Sequence, residues 1–403
     1  MKRLLFRVAG LLLALLVAEL FSAAGFVFLE RYLGIAYSPA DRLSPGHAGS
    51  IRNLLEGKHR YIEHSPILGW RVRSNGESSL YRANSDGIRS GREYEKDPPP
   101  GTLRIAAFGD SFTHGDDVAG GEEWPALLES AGDGWEVLNF GVPGYGTDQA
   151  YLRYLEEGVR FSPDIVLIGF MTENIGRHLS VFRPFYRPGT GVPLGKPRFL
   201  EDGDRLVLVP NPLARLDDYR SLLDSPGESI PALGADDAYF ADRYLSHPLE
   251  ILRTFRLIRI TEEAWRKWRR YGGGEEAFYR ESSEHLTLTL RIFEEFRRSA
   301  LENGSETVIL VFPQKSDIRR FRKTGTMAYA SLLEEFDRRG YRYADLTEVL
   351  GNGEGVFSDQ GRGAHYSAEG NRRIAGRVRE EILCMGGRSG GIGSTIPSGA
   401  GTW

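Results

Sequence analysis

Leu103-Arg104-Ile105-Ala106-Ala107-Phe108-Gly109-Asp110-Ser111-Phe112-Thr113-His114-Gly115 is the stretch from which the rest of the chain is read. A short apolar run breaks at a Gly-Asp pair and delivers a hydroxyl residue to the start of a helical segment. Two runs of the same kind come next, Trp135 to Phe140 and Asp164 to Phe170, and two more lie further on, Thr307 to Phe312 and Tyr341 to Leu346. Between them the apolar residues recur at helical spacing, as in Tyr151, Leu152, Leu155 and Val159. Near-continuous apolar strands alternating with helices predict a parallel sheet covered on both faces. The expected fold is therefore α/β, a three-layer α/β/α sandwich. Helices are expected at about 124–130, 326–339 and 368–384.

Four segments in this frame carry polar residues at strand ends. Ser111 sits on the turn after the first strand, where a helix's first amides lack internal partners and can hold an oxyanion. A serine hydroxyl needs a base to become a nucleophile. Next comes Asn139-Phe140-Gly141-Val142-Pro143-Gly144-Tyr145-Gly146-Thr147, whose glycines permit close backbone approach to a ligand. Its Gly-x-x-Gly-x-Gly spacing is not the dinucleotide fingerprint. Gly169-Phe170-Met171-Thr172-Glu173-Asn174 offers a side-chain amide, with a helix N-cap as the competing role for Asn174. Last is Asp359-Gln360-Gly361-Arg362-Gly363-Ala364-His365, a Gly-rich loop before the final helix, where a base can reach Ser111. His114 could line the same pocket. His47, His59, His64, His178, His247 and His285 have no such setting and read as packing or surface residues.

In this order, each after a strand, the four segments resemble the four blocks of the SGNH (GDSL-type) hydrolase superfamily, over about residues 103–384. The resemblance implies Ser111 as nucleophile and His365 as base. It implies an oxyanion hole from the Ser111 and Gly144 amides and the Asn174 side chain. No cofactor is implied. Two departures stand out. Thr172-Glu173-Asn174 replaces the usual Gly-x-Asn-Asp ending, so strict register puts Glu173 in the amide's place. The aspartate usually found three residues before the histidine is Arg362 here. Asp359 is taken as the orienting acid, with Asp345, or no acid at all, as alternatives.

Outward from this core, the N-terminus has Lys2, Arg3 and Arg7 ahead of the apolar stretch Val8 to Leu29, broken only by Glu19. At about 1.5 Å per residue it can span a hydrocarbon core of about 30 Å. The flanking charges place the chain beyond this stretch outside the cytoplasm. A signal anchor over 1–30 is expected, with a cleaved signal peptide as the rival and Ser22 and Ala24 as its small residues. Residues 31–100 read as a spacer and small pre-domain ending in Asp97-Pro98-Pro99-Pro100. The main domain covers 101–385. An insertion at about 176–273 contains a hairpin at 198–208 and Trp265 and Trp268, and reads as a lid-like subdomain. The Gly/Ser-rich tail 386–403 is expected to lack structure.

Composition excludes other classes. Lys and Arg number 51 against 55 Asp and Glu, a net charge of −4 with no long basic run, so nucleic acid is not an expected partner. The single Cys384 cannot form an internal disulfide, and no Cys/His spacing suits zinc. The expected activity is ester hydrolysis on an acylated small molecule or extracytoplasmic glycan. Transfer of the acyl group to a cell-envelope polysaccharide is a close variant. A non-catalytic glycan-binding or assembly protein on a degenerate hydrolase fold is the alternative from another class.

Overall fold

The computed structural model describes residues 2–33, 43–243 and 275–386, except 133, 188, 204, 352 and 360–364. Nine strands occur among them: β1 (Ile62–Ser65), β2 (Gly69–Val72), β3 (Leu103–Phe108), β4 (Trp135–Asn139), β5 (Ile165–Met171), β6 (Arg198–Asp202), β7 (Arg205–Val209), β8 (Glu306–Phe312) and β9 (Tyr343–Asp345). Five of them form one sheet in the order β4-β3-β5-β8-β9, and every pairing in it is parallel.

The apolar runs are buried on both faces, as their lack of alternation requires. Along β5, Ile165, Leu167 and Met171 join one apolar cluster while Val166, Ile168 and Phe170 join the other. The helices Trp124–Ala131 and Ala368–Gly386 cover the first face, Thr147–Arg153 and Glu284–Glu302 the second. The α/β/α sandwich is thus present. Chain order reverses between β3 and β5, because β3 leads to β4 on one side and the chain then crosses back to β5. Open parallel sheets bind ligands at the carboxyl ends of strands at such a switch point. Ser111 lies just past the end of β3 and Asn174 just past the end of β5.

The pre-domain is not a separate unit. Trp70 on β2 is fully buried, and its indole N–H donates to the Pro143 carbonyl at 2.9 Å. The Tyr145 hydroxyl donates back to the Trp70 carbonyl at 2.5 Å, and the Gln149 amide donates to the Leu68 carbonyl at 2.7 Å. Gly69, at φ 85°, lets this hairpin press on the insertion, since a Cβ there would lie 2.3 Å from the Gly195 carbonyl oxygen. Tyr61, Ile88 and Trp70 belong to the same apolar cluster as Phe108 and Phe140. The hairpin therefore buttresses the loop that carries Gly144.

The described part of the insertion is likewise built into the core. Phe182, Phe185, Phe199, Tyr219 and Phe240 are buried in that same cluster. Buried Lys196 pairs with buried Asp148, and buried Asp237 accepts from the Ser180 hydroxyl and the Val181 N–H, each at 2.7 Å. This is an extension of the sheet's second layer rather than a lid laid over it. Its hairpin forms as expected, β6 pairing antiparallel with β7. Trp265, Trp268 and His247 lie outside the described residues, as do Arg362 and the tail from 387. Lys2–Leu33 is a single helix, and Lys2–Gly25 has a mean hydropathy of 2.3 with its large apolar side chains exposed. Among the described residues it alone is long and apolar enough to cross a membrane.

Candidate active site

β3 ends at Phe108, and Asp110 then caps the short helix Ser111–His114 by accepting from the Phe112 N–H at 2.9 Å. The cap fixes the turn and sets Ser111 at the first helical position. Its hydroxyl lies 3.0 Å from His365 Nε2. The other ring nitrogen, His365 Nδ1, lies 3.0 Å from Asp117 Oδ2. Hydroxyl, imidazole and carboxylate are thus in line at hydrogen-bond distances, an arrangement recognised by geometry and role rather than by sequence position.

Asp117 corrects the expected third member. Asp359 is exposed and makes no contact with His365, whose ring is already taken on both sides. Asp345 is also excluded, because its carboxylate accepts from the Tyr329 hydroxyl and from the N–H and hydroxyl of Thr347. The acid comes from the loop after the nucleophile and not from the loop that carries the base. Asp117 has φ 70°, a left-handed conformation that costs a non-glycine residue about 1 kcal/mol.

Arg89 holds that loop in place. Almost fully buried, it donates through Nη1 to the carbonyls of His114 (2.7 Å) and Gly115 (2.5 Å) and through Nη2 to Val118 (2.9 Å), beside Glu123 at 3.4 Å. A lysine retains the charge but cannot satisfy three carbonyls in a fixed fork. Arg89→Lys is expected to lower turnover by roughly 10- to 100-fold through misplacement of Asp117. Its circular dichroism should stay native, and an unchanged turnover would refute the link.

The oxyanion side is assembled by a second arginine. Arg177, also buried, bonds Asp110 Oδ2 at 3.1 Å and the Tyr145 carbonyl at 2.5 Å, and lies 3.5 Å from Glu173. One guanidinium therefore brings together the residues flanking Ser111, Gly144 and Asn174. The Asn174 side chain is fully buried, and among the described residues neither its nitrogen nor its oxygen has a hydrogen-bond partner. Among the described residues the Ser111 and Gly144 N–H groups have no partner either, and Gly144 adopts φ 85°. Unpaired buried polar groups are rare and costly, so the fully buried Asn174 amide at this sheet edge needs an explanation. Glu173, the strict-register rival of Asn174, is consumed elsewhere. Burial alone would raise its carboxyl, but Arg177, Arg187 and Arg183 outweigh that and hold it down at about 2. Burial raises the Asp110 carboxyl, opposed by Arg177.

His114 does not line an open pocket. It is fully buried, with Nε2 at 2.7 Å from the Tyr61 hydroxyl and Nδ1 at 2.6 Å from Asp116. His178 is buried too, accepting from the Thr147 N–H at 3.2 Å and bonding Thr289 at 2.9 Å. Burial holds both imidazoles down at about 4, against an ordinary 6.5. The unfolded chain therefore binds protons that the folded chain refuses between those values. Stability falls as pH falls through that window, by up to about 3 kcal/mol per ring. His178→Gln, which keeps an acceptor for Thr147, should flatten the decline in melting temperature between pH 7 and 4.5. An identical decline in variant and parent would refute this assignment.

Residues 107–225 match the model of the GDSL-like Lipase/Acylhydrolase family. The segment that holds Ser111 is thus similar to the SGNH (GDSL) lipases and acylhydrolases, which act on esters. Similar solved structures include a lipolytic protein of the G-D-S-L family from Desulfitobacterium hafniense, at 12% identity and TM-score 0.34, covering 70% of this chain and 99% of that one. A lipase/acylhydrolase from Enterococcus faecalis has 16% identity and TM-score 0.35, covering 70% of this chain and 97% of that one. A catalytic mutant of an acetylxylan esterase from Geobacillus stearothermophilus has 12% identity and TM-score 0.33, covering 71% and 96%. No curated protein matches the chain.

Proposed function

We propose that the chain is a serine esterase held at a membrane by Lys2–Leu33, with its hydrolase domain outside the cytoplasm and an acylated glycan or similar ester as substrate. The observation that carries this reading is the line Asp117–His365–Ser111 facing three uncommitted donors. His365 Nε2 accepts the Ser111 proton as Oγ attacks the ester carbonyl. Asp117 accepts from Nδ1–H, holds the ring in the required tautomer and stabilises the imidazolium that forms. The Ser111 and Gly144 N–H groups and the Asn174 amide take the charge that develops on the carbonyl oxygen, where preorganised donors act most strongly. His365 returns its proton to the leaving alcohol. Water, activated by the same imidazole, then releases the acyl group from Ser111.

The two departures that favour a non-catalytic reading are met by other residues. Asn174 stands unpaired while Glu173 is bound by arginines, and Asp117 takes the place of the missing block-four aspartate. The test is hydrolysis of p-nitrophenyl acetate and of acetylated oligosaccharides by the chain and its Ser111→Ala variant. Ser111-dependent release of acetate is the expected result, and equal rates in both proteins contradict it. Adding a sugar acceptor and finding an acetylated sugar in place of free acetate would identify transfer instead of hydrolysis.

A further inference from the structure

Arg177 and Arg183 hold the loop that carries Gly144, Arg187 joins them at Glu173, and one of the three is unbalanced. Arg177 pairs with Asp110 and Glu173, and Arg187 pairs with Glu173 at 3.0 Å. Two carboxylates thus answer two guanidiniums. Arg183, half-buried, has no carboxylate within ion-pair distance among the described residues. Its Nε donates to the Thr190 hydroxyl at 2.9 Å, and Nη1 donates to the Gly144 carbonyl. A guanidinium has five N–H donors. Two are used here, so both hydrogens of Nη2 and one of Nη1 have no partner among the described residues, enough donors for a carboxylate. Removing a charge from water without a counter-ion is expensive. Burial, with Arg177 next in importance and Glu173 opposing them only in part, holds the Arg183 guanidinium down at about 9.

We propose that the Arg183 fork binds a carboxylate on the substrate, so that the esters taken by this site carry an acidic group close to the scissile bond. An O-acylated acidic sugar has this chemistry, whereas a neutral acetylated sugar lacks it. Gly144 connects the two functions. Its carbonyl is held by Arg183 while its N–H belongs to the proposed oxyanion hole, so Arg183 grips the very residue that supplies an oxyanion donor. The proposal rests on the esterase reading of Ser111.

The test compares the methyl glycosides of O-acetylated glucuronic acid and O-acetylated glucose as paired substrates of the full chain. The acidic ester should have a kcat/KM about tenfold or more above the neutral one, a typical worth for a charge-assisted pair. In Arg183→Gln the ratio should fall to about one. Arg183→Lys should keep most of the preference even if both rates drop, because the charge persists while the grip on Gly144 changes. Added salt should narrow the ratio by screening. Equal rates on the two esters in the parent chain would overturn the proposal. So would a loss in Arg183→Gln that is the same for both, since Arg183 would then act only on the oxyanion loop. Calorimetric titration of the Ser111→Ala chain with the two glycosides separates this proposal from the esterase reading. An Arg183-dependent preference in binding without turnover would leave the carboxylate site standing and remove the esterase. No preference in binding would remove the site.

Discussion

Replacing Ser111 by alanine is expected to lower ester hydrolysis by roughly three orders of magnitude or more while leaving the fold intact. The substitution deletes one oxygen atom. That oxygen bonds only His365 in the free protein, and the residue is 7% exposed, so little packing is lost. Stability should change by no more than about 1 kcal/mol, as for a single hydrogen bond whose partner remains accessible to water. The proposed oxyanion donors and the substrate contacts persist, so KM should move far less than kcat. Loss of turnover with an unchanged melting temperature is the result to look for in a p-nitrophenyl acetate assay. Retained turnover would mean that the nucleophile is elsewhere.

Asp117→Asn is expected to have the second largest effect, about 10⁴-fold on kcat. The amide fills the same space but offers no charge to the imidazolium, and it can present its NH₂ to Nδ1 and select the wrong tautomer. Asp359→Asn serves as the counterpart. Its carboxylate is exposed and does not touch His365, so its turnover should stay within about threefold of the parent, as for a surface substitution. Asp345→Asn should act on stability rather than rate, through the bonds with Tyr329 and Thr347. If Asp359→Asn proved the damaging change, the assignment of the third member would be reversed.

The sheet was legible because burial on both faces leaves an unmistakable mark. All seven residues of β5 are buried, and no alternating pattern competes. Ser111, Gly144 and Asn174 were legible for a related reason: each comes after a strand whose end could be placed. His365 was reached through its loop before the last helix. The acid could not be reached in this way, because counting back from His365 assumes that base and acid share a loop. The local signal was Gly115-Asp116-Asp117, and it is ambiguous in sequence. One aspartate hydrogen-bonds buried His114, the other meets His365, and only the left-handed turn at Asp117 separates them.

The arginines were the larger omission. Arg89, Arg177 and Arg183 look like ordinary surface charge in a chain that is 26% charged. Each acts through backbone carbonyls and carboxylates supplied by distant segments: Arg89 on the loop 114–119, Arg177 on Asp110 and Tyr145, Arg183 on Gly144. No local spacing encodes such contacts. The insertion misled for the same reason, since its aromatic residues read as a cover, whereas Phe199 and Tyr219 lie inside the main core.

The most direct test of the Ser111–His365–Asp117 line is the acyl-enzyme itself. The chain is mixed with p-nitrophenyl acetate, quenched in acid within the first turnover, and digested for peptide mass spectrometry. An acetyl group is predicted on the peptide containing Ser111, formed rapidly in the parent and in Asp359→Asn, and slowly or not at all in Asp117→Asn. An adduct on any other residue, or one that forms equally fast in Asp117→Asn, would contradict the account.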